Sequence, residues 1–338
     1  MGGVIGLDVG GANTKAVWLH GGERRAVSRP FEVWRDREAL ERVLGGVVAD
    51  VAPELPEAVA LTTTAELSDA FRTKREGVEF VLDAAEAALG ARRLLALTTA
   101  GELVTFAEAR TRALDVAAAN WVASALAVAA VYPDALMIDV GSTTADVVPI
   151  AAGRVAAAGR TDLDRLLAGE LVYTGALRTN LAAIAPRVPV RDRWCPVASE
   201  LFAISADVHL ILGHLAPGAY TCATPDGRRA SVECARERVA RLVCADAEQL
   251  PADEIDAIAA FLHTEQVRQI EAAVREVGGR LEGPAPVVPL GVGAFLAREA
   301  AERLGRAVVE LPWSAAERDA APAAALAELL ADRLRPPC

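Results

Sequence analysis

The chain has 338 residues, a formal net charge of -11 and 53% hydrophobic residues, a composition typical of a folded protein of about two domains. The acidic charge excludes the basic face that nucleic-acid binding requires. The amino-terminal segment lacks the basic and apolar parts of a signal peptide, and the most apolar helix candidate, residues 117–132, is too short to span a bilayer. These features predict a cytoplasmic protein with neither a nucleic-acid nor a membrane partner, and they predict no particular oligomeric state.

The first part of the chain alternates between apolar strand patterns and helical periodicity. The predicted strands are Val4–Val9, Thr14–Leu19, Arg25–Trp34, Ala58–Thr64 and Arg93–Thr99. The predicted helices are residues 37–52, which Asp36 caps, Glu76–Leu89 and one long helix at Thr111–Val131.

The second part of the chain continues this alternation. The predicted strands are Ala135–Gly141, Thr144–Ile150, a strand leading into a glycine turn within Ala285–Phe295, and Ala307–Leu311. The predicted helices are Arg236–Cys244, Asp253–Val277 and Ala321–Leu334, and short elements mix between Ala151 and Cys222. Strands and helices in alternation indicate an α/β fold.

Two passages of the sequence match each other. GLDVGGANTKAV (Gly6–Val17) and MIDVGSTTADVV (Met137–Val148) each contain an apolar strand, Asp-Val-Gly, a small polar turn and a second strand. A single glycine hairpin is usually only a hairpin, but the pair indicates an internal duplication of a functional unit.

Turns of this composition bring several backbone N–H groups to one point, where they bind an anion. The predicted phosphate-binding residues are Gly10, Gly11, Ala12, Asn13, Thr14, Lys15, Gly141, Ser142, Thr143 and Thr144. Lys15 either neutralises a phosphate or faces solvent. Asp8 and Asp139 end the two strands, where each can hold Mg²⁺, directly or through water, or act as a base.

A third glycine turn, Gly291 and Gly293, follows a strand and opens a helix. It suits either a nucleotide-like ligand or a tight strand-to-helix connection. The Walker pattern G-x-x-x-x-G-K-[ST] is missing from the sequence. The first turn leads into a strand, which excludes a dinucleotide-binding fingerprint.

Further polar residues are weaker candidates. Thr62, Thr63 and Thr64 end an apolar strand, where they either bind a ligand or cap the strand. Asn120 lies in an apolar helix, where it either faces a binding site or bonds a neighbouring backbone group. The next charged residues are expected to be mostly solvated, with one or two lining a site: Glu66, Asp69, Arg72, Lys74 and Arg75.

Cysteine and histidine give no indication of a metal site. The cysteines are Cys195, Cys222, Cys234, Cys244 and Cys338; they include no C-x-x-C pair, so we predict reduced thiols. His209 and His214 fall on one predicted helix with Asp207, but their five-residue spacing does not place both on one face. We expect His20 and His263 at the surface.

The three glycine turns together resemble the motifs of the actin, sugar kinase and Hsp70 ATPase superfamily, two phosphate motifs and an adenosine motif. This resemblance implies two ribonuclease-H-like α/β domains around a central cleft. The implied boundaries are residues 1–132, residues 133–320 with an inserted substrate segment at about 159–225, and residues 321–338 as a closing helix that packs back on the amino-terminal domain. Helices Thr111–Val131 and Ala321–Leu334 correspond to the connecting helices of the superfamily.

Three longer stretches resemble a narrower family. Leu61–Val81, Gly159–Asn180 and Ser205–His214 are similar to the hydantoinase/oxoprolinase-like proteins linked to tetrahydromethanopterin-dependent one-carbon transfer. GELVYTGALRT, at Gly169–Thr179, is the most specific of these stretches because other ATPases of the superfamily lack it.

The family resemblance implies a transferase of methanofuran biosynthesis. The phenol oxygen of γ-glutamyl-tyramine displaces diphosphate from 5-(aminomethyl)-3-furanmethanol diphosphate, which yields an aryl-methyl ether and pyrophosphate. Mg²⁺ is the implied cofactor, and ATP can bind but is not consumed. Either Asp8 or Asp139 anchors Mg²⁺ while the other takes the phenol proton. The alternative is an ATP-dependent small-molecule kinase or an oxoprolinase/hydantoinase-like amidase.

The substrate-binding candidates are Thr63 and Asn120, named above, together with Arg160, Asp162, Tyr173 and Arg178 from the family-like stretch. Arg178 is a candidate bidentate donor to the glutamyl carboxylates. Asp162 or Glu170 is a candidate partner of the aminomethyl ammonium group.

Overall fold

The computed structural model of the protein describes residues 2–90 and 92–335, so Cys338 lies outside the described residues. The described residues form two compact units. The first contains the residues up to Ala135, Val148–Ala168 and those from Glu310 onward, and the second contains Leu136–Val147 and Gly169–Val309. In the part of the chain described, no helix combines the length and apolar character needed to cross a bilayer.

These units differ from the boundaries expected from the sequence, which placed residues 148–168 and 310–320 in the second domain. Contacts of the segment 148–168 explain its place in the first unit. Asp162 pairs with Lys74 at 2.6 Å, and the Arg165 guanidinium lies 4.2 Å from the centre of the Trp121 ring.

The first unit contains a six-stranded sheet with the order β3-β2-β1-β4-β5-β6. Its strands are β1 (Val4–Val9), β2 (Asn13–His20), β3 (Glu23–Pro30), β4 (Ala58–Thr63), β5 (Arg93–Leu97) and β6 (Leu103–Thr105). β2 pairs antiparallel with β1 and β3, whereas β4 runs parallel to β1. Every residue of β1 is buried, which explains its continuous apolar pattern.

Helices are numbered along the whole chain. Those of the first unit are α1 (Leu40–Val51), α2 (Lys74–Leu89), α3 (Phe106–Thr111), α4 (Ala113–Val116), α5 (Asn120–Val131), α6 (Asp162–Leu167), α11 (Ala315–Asp319) and α12 (Ala321–Leu334). α12 packs against β1 and α5. This close approach depends on Gly6, since a Cβ at that position would lie 2.0 Å from the carbonyl oxygen of Ala323.

The second sheet has the order β10-β8-β7-β13, with β9 pairing to β8. The remaining strands are β7 (Ala135–Val140), β8 (Ala145–Ala151), β9 (Arg154–Val155), β10 (Leu171–Val172), β11 (Arg187–Val190), β12 (Arg193–Pro196) and β13 (Val287–Leu290). The remaining helices are α7 (Ser205–Ile211), α8 (Val232–Ala240), α9 (Ala252–Gly278) and α10 (Ala294–Arg303). Buried residues of α9 and α10 join those of β7, β8 and β13 in one core.

The single long helix predicted at Thr111–Val131 is wrong, because α3 ends at Thr111 and the chain then forms two separate helices, α4 and α5. Ala118, between α4 and α5, has a φ of 52°, and its amide donates to the carbonyl of Thr63 at 3.1 Å. A right-handed helix does not continue through this left-handed conformation. Asn120 is therefore the first residue of α5 and not an interior one.

Three predicted boundaries are also corrected. β3 ends at Pro30 and does not continue to Trp34, because the following amides bond the turn after β1. α1 begins at Leu40, and Asp36 makes no side-chain capping bond. The strand predicted at Ala307–Leu311 contains only an isolated bridge from Val308 to Val287.

Candidate functional site

The turn after β1 is closed by its own backbone. The amide of Gly10 donates to the carbonyl oxygen of Asn13 at 2.9 Å. Asp8 precedes this turn on β1 and is only 7% exposed, so its carboxylate stands at the carboxyl end of a buried strand. That edge of a mixed sheet is where α/β proteins place binding groups.

The orientation of the first turn's peptide groups follows from what their carbonyls contact. The carbonyls of Gly11 and Ala12 accept hydrogen bonds from the amides of Val33 and Phe31, both at 3.0 Å. A trans peptide directs its N–H opposite to its C=O, and the described chain contains no cis peptide. The amides of Ala12 and Asn13 therefore point together, away from the segment 31–33.

The turn after β7 repeats this closure. The amide of Gly141 donates to the carbonyl oxygen of Thr144 at 2.9 Å, the counterpart of the bond in the first turn. Asp139 is likewise 7% exposed at the end of its strand. The duplication that the sequence indicates is thus present in the hydrogen bonding.

The second turn is bonded through its carbonyls to the family-like stretch. The carbonyl of Gly141 accepts from the amide of Ala176 at 2.9 Å, and that of Ser142 accepts from Leu177 at 3.0 Å and Arg178 at 2.8 Å. By the same geometry, the amides of Ser142 and Thr143 point away from residues 176–178. Each turn therefore offers two adjacent N–H groups on one side, which is an anion-binding arrangement.

Gly175 is the residue that lets GELVYTGALRT approach the second turn. A Cβ at this position would lie 2.5 Å from the backbone nitrogen of Thr143. The amide of Gly175 donates to the hydroxyl of Thr179 at 2.8 Å, which fixes the bend. The most family-specific stretch of the sequence is thus the support of the second turn.

The third glycine turn packs against the end of β7. Gly291 has a φ of 80°, and a Cβ there would lie 2.5 Å from Oδ1 of Asp139. The amide of Gly293 donates to the carbonyl of Val140 at 2.9 Å. These contacts correspond to a tight strand-to-helix connection, one of the two alternatives that the sequence leaves open. A nucleotide-like ligand at this turn stays a prediction.

Two of the predicted phosphate contacts, Thr14 and Lys15, lie on β2. The Lys15 ammonium donates to the carbonyl of Asp319 at 2.8 Å, so Lys15 anchors the chain just before α12. The Thr14 side chain is fully buried.

Glu66 is a site residue that the sequence did not single out. It follows β4 and is 2% exposed, and its Oε2 accepts a hydrogen bond from the Thr63 hydroxyl at 3.1 Å. Its Oε1 is buried and has no hydrogen-bond partner among the residues that the structure describes. Burial raises the pKa of Glu66 to about 7. A carboxyl group with this pKa, in reach of a binding turn, is a candidate general base.

The end of β4 places Glu66 next to the first turn. The Thr63 hydroxyl is 3.2 Å from the carbonyl oxygen of Val9, and the amide of Thr64 donates to that oxygen at 3.0 Å. The sequence signal was an acidic residue two positions beyond a threonine-rich strand end. The sequence pattern does not separate Glu66 from the charged residues that follow it, of which Asp69 and Arg72 are exposed.

The predicted substrate-binding residues are spread over the two units. Asp162 forms an ion pair with Lys74 at 2.6 Å, and Glu170 forms one with Arg280 at 2.7 Å. Tyr173 is 62% exposed. Arg160 is exposed, Arg178 is half-buried, and Thr62 and Thr63 are fully buried.

Three histidines come together, contrary to the prediction from their spacing. α7 ends in a Schellman turn, in which the amide of His214 donates to the carbonyl of His209 at 2.9 Å and Gly213 has a φ of 75°. This turn folds His214 back beside His209, so helical spacing does not apply. His263 of α9 was expected at the surface but is 7% exposed and joins them.

The fold is that of the actin, sugar kinase and Hsp70 type. The structure aligns with a ROK family glucokinase from Streptomyces griseus at a TM-score of 0.52 and 13% identity, covering 97% of this chain and 99% of the other. It aligns with an acetone carboxylase chain at a TM-score of 0.56 and 11% identity, covering 94% of this chain and 69% of the other. At such low identity these likenesses define the fold alone.

The sequence comparisons define the family. The family described as Hydantoinase/oxoprolinase matches residues 57–333. A protein of Methanocaldococcus jannaschii named (4-{4-[2-(gamma-L-glutamylamino)ethyl]phenoxymethyl}furan-2-yl)methanamine synthase is 35% identical over 332 residues, which cover 98% of both chains. The chain belongs to the hydantoinase/oxoprolinase family.

Proposed function

We propose that this protein is a transferase of methanofuran biosynthesis, which joins 5-(aminomethyl)-3-furanmethanol diphosphate to the phenol of γ-glutamyl-tyramine. The observation that carries the proposal is the 35% identity, over 98% of both chains, to a protein named as the corresponding synthase. The packing of GELVYTGALRT against the second turn supports it, because the stretch that distinguishes this family contacts a phosphate-type turn directly.

The chemistry requires stabilisation of a leaving diphosphate. The bond between the methylene carbon and the diphosphate oxygen breaks, and the oxygen leaves with the electron pair. The electron-rich furan stabilises positive charge on the methylene carbon while the phenol oxygen forms the new bond. Preorganised N–H donors at the leaving oxygens are then the main contribution from the protein. The amides of Ala12, Asn13, Ser142 and Thr143 are the donors that we assign to this role.

Each of the two turns has oxygen donors that suit a magnesium ion. Asp8 and Asp139 offer carboxylate oxygens at the ends of buried strands, and Ser142 and Thr143 add hydroxyls, with their Oγ atoms 3.4 Å apart. Oxygen donors of this kind are the ligands that Mg²⁺ prefers. We propose that Asp8 and Asp139 hold the ion, directly or through water. When bound, it supplies positive charge that neutralises the departing diphosphate.

Glu66 is the group that we assign to the phenol proton. The unperturbed pKa of a phenol is about 10, so an ordinary carboxylate is a weak base for it. Burial raises the pKa of Glu66 to about 7, which narrows this gap. Its Oε1, which no described residue contacts through a hydrogen bond, is the atom that accepts the proton. With Glu66 as the base, neither Asp8 nor Asp139 is assigned a proton-transfer role.

The test is a reaction without nucleotide. The protein is incubated with the furan diphosphate, γ-glutamyl-tyramine and Mg²⁺, and pyrophosphate and the ether are measured by enzymatic assay and mass spectrometry. We expect both products in equal amounts, and a far lower rate of formation of both when Asp139→Asn replaces the wild-type protein. Product formation that requires ATP would overturn the proposal.

The alternative is an ATP-dependent kinase or amidase, which the strand, glycine turn and helix at residues 287–303 favour. The same incubation with ATP distinguishes it, with ADP measured in the presence and absence of the two substrates. We expect no substrate-dependent ADP. ADP released in proportion to product would establish the alternative.

A further inference from the structure

We propose that His209, His214 and His263 form a binding site for one divalent transition-metal ion of the zinc class. One ligand atom from each imidazole lies within 4.8 Å of the other two. The site is separate from the proposed function: it uses neither the carboxylates nor the turns assigned to the diphosphate.

The backbone brings two of these ligands together. In the Schellman turn at the end of α7, the amide of Gly213 donates to the carbonyl of Leu210 at 3.3 Å, beside the bond from His214 to His209. The side chains at the first and last positions of such a turn are neighbours, and in this chain both are histidines. The ring centres of His214 and His263 are 4.5 Å apart.

Hydrogen bonds at Nε2 of two of the rings determine which nitrogen carries the lone pair that a metal can use. Nε2 of His209 lies 3.0 Å from Oε1 of Gln266, and Nε2 of His263 lies 2.7 Å from Oε2 of Glu299. Both partners are acceptors, so each Nε2 carries the proton and each Nδ1 has the lone pair in the neutral ring. The orientation of Gln266 is fixed independently, since its Nε2 donates to the carbonyl of Gly175 at 2.8 Å.

The Nδ1 atoms of His209 and His263 have the properties of metal ligands. Nδ1 of His209 and of His263 are buried, and neither has a hydrogen-bond partner among the described residues. A lone pair buried without a partner costs free energy, and a bound cation removes that cost. An imidazole whose other nitrogen donates to a carboxylate or amide oxygen is the usual arrangement of a metal-binding histidine.

The surroundings of His209 and His214 disfavour their protonated forms. Burial, with His263 and His214 adjacent, lowers the pKa of His209 to about 3, and burial also lowers the pKa of His214. Neutral imidazole is the form that binds a metal. The ring of Phe295 closes one side of the cluster, with its centre 4.8 Å from that of His209.

The donor set determines the class of ion. Three imidazoles suit zinc, copper, nickel and iron, and three histidines with an open fourth position are a known arrangement for zinc. His214 is the exposed member, so the fourth position lies on its solvent side, where water or a small donor completes the coordination.

The cluster is linked to the second turn. Gln266 bonds His209 through its oxygen and donates through its nitrogen to both Gly175 and Thr174. Gly175 packs on Thr143 of the turn. A metal that fixes the His209 ring therefore stabilises the support of the second turn, and we expect a rise in the unfolding temperature on metal binding.

The test is metal titration of the full chain, produced without a polyhistidine tag and stripped with a chelator. Co²⁺ is followed by its visible absorption and Zn²⁺ by calorimetry. We expect one ion per chain with micromolar or tighter affinity, and a higher unfolding temperature in Zn²⁺. A wild-type chain that binds neither ion in this range overturns the proposal, and this measurement needs no variant.

Variants identify the site. His214→Ala, on an exposed ring, should weaken binding at least tenfold, and Glu299→Gln should weaken it about 10- to 100-fold through its effect on His263. His20→Ala is the matched control, since His20 pairs with Glu54 on the surface of the other unit, and it should bind as the wild type does. Equal losses in His20→Ala and His214→Ala, or unchanged binding in both His214→Ala and Glu299→Gln, would contradict the assignment.

Discussion

The turns after β1 and β7 have the same closing hydrogen bond but different supports. Residues 31–33, which simply continue the chain after β3, bond the carbonyls of the first turn, whereas residues 176–178 of the family-specific stretch bond those of the second. The bonded carbonyls in the first turn are those of Gly11 and Ala12, the two residues after Asp-Val-Gly. In the second turn they are those of Gly141, the glycine of Asp-Val-Gly itself, and Ser142. The two turns thus present amides in a similar way although the segments that support them differ.

The strands that run parallel to β1 and β7 also end differently. β4 leads to Thr63 and the buried Glu66, whereas β13 leads to Gly291, which packs on Asp139 without a side chain. One unit therefore places a titratable group next to its turn, and the other places bare backbone there. We infer that acid–base chemistry belongs to the first turn and that the second contributes only charge stabilisation.

The largest loss of activity is expected from substitution of the aspartate that the two turns have in common. Asp8→Asn and Asp139→Asn should each lower the rate of ether formation by about three orders of magnitude, because each removes a charge that holds the metal. Initial rates at saturating Mg²⁺ measure this, with circular dichroism to show that both variants are folded. A variant that keeps a tenth of the wild-type rate would break the proposed equivalence of the two carboxylates.

Glu66→Gln tests the difference between the turns. Loss of a general base should lower kcat about 10²- to 10³-fold. In the wild type kcat should rise with pH through about 7, because the ionised carboxylate is the base, and the variant should lack this rise. The exposed Glu41→Gln is the matched control. A pH profile that Glu66→Gln leaves intact would assign the base elsewhere.

The raised pKa of Glu66 also predicts how the stability of the protein depends on pH. Burial raises the pKa of Glu66 from 4.5 to about 7, so the folded state binds a proton that the unfolded state releases between these values. The free energy of unfolding therefore loses this contribution as the pH rises through that window. A pKa shift corresponds to about 1.4 kcal/mol per pH unit. The free energy of unfolding of Glu66→Gln, relative to that of the wild type, should therefore be higher at pH 8 than at pH 4 by on the order of 3 kcal/mol. Denaturant unfolding at both values measures the gain, and an equal difference at both would refute it.

Gly175→Ala should disturb the second turn and leave the first unit as it is. The added Cβ would lie 2.5 Å from the backbone of Thr143, so one backbone segment must move. Overpacking of this kind costs about 1–3 kcal/mol. Gly218→Ala is the matched control, because nothing lies within 4 Å of its Cβ. Thermal unfolding of both variants measures the cost, and equal midpoints would show that GELVYTGALRT does not constrain the turn.

Ser142→Ala should have the smallest effect. It removes a hydroxyl donor that the first turn lacks at the equivalent Gly11, while the amides remain. A hydrogen bond to a charged group contributes about 1.5–3 kcal/mol, so we expect KM for the furan diphosphate to rise about 10- to 100-fold with kcat little changed. Steady-state kinetics check this, and a fall in kcat with constant KM would mean that the hydroxyl acts in the transition state.

Much of the fold near the turns was predictable from the sequence. β1, β2 and β7 coincide closely with the predicted strands, because buried strands have continuous apolar patterns that are read locally. The break in the helix predicted at Thr111–Val131 was not predictable, since Ala118 has no helix-breaking side chain. Its left-handed conformation goes with a hydrogen bond to Thr63, which lies far away in the sequence.

The sequence by itself determined the repeated Asp-Val-Gly turns and the family, because both are encoded in short runs of neighbouring residues. Only the tertiary structure decided that Glu66 differs from the exposed acids beside it, and that His263 joins His209 and His214. The physical reason is the same in both cases. The pKa of a carboxyl group and the donor set of a metal site depend on burial and on partners from distant segments, which the local pattern does not contain.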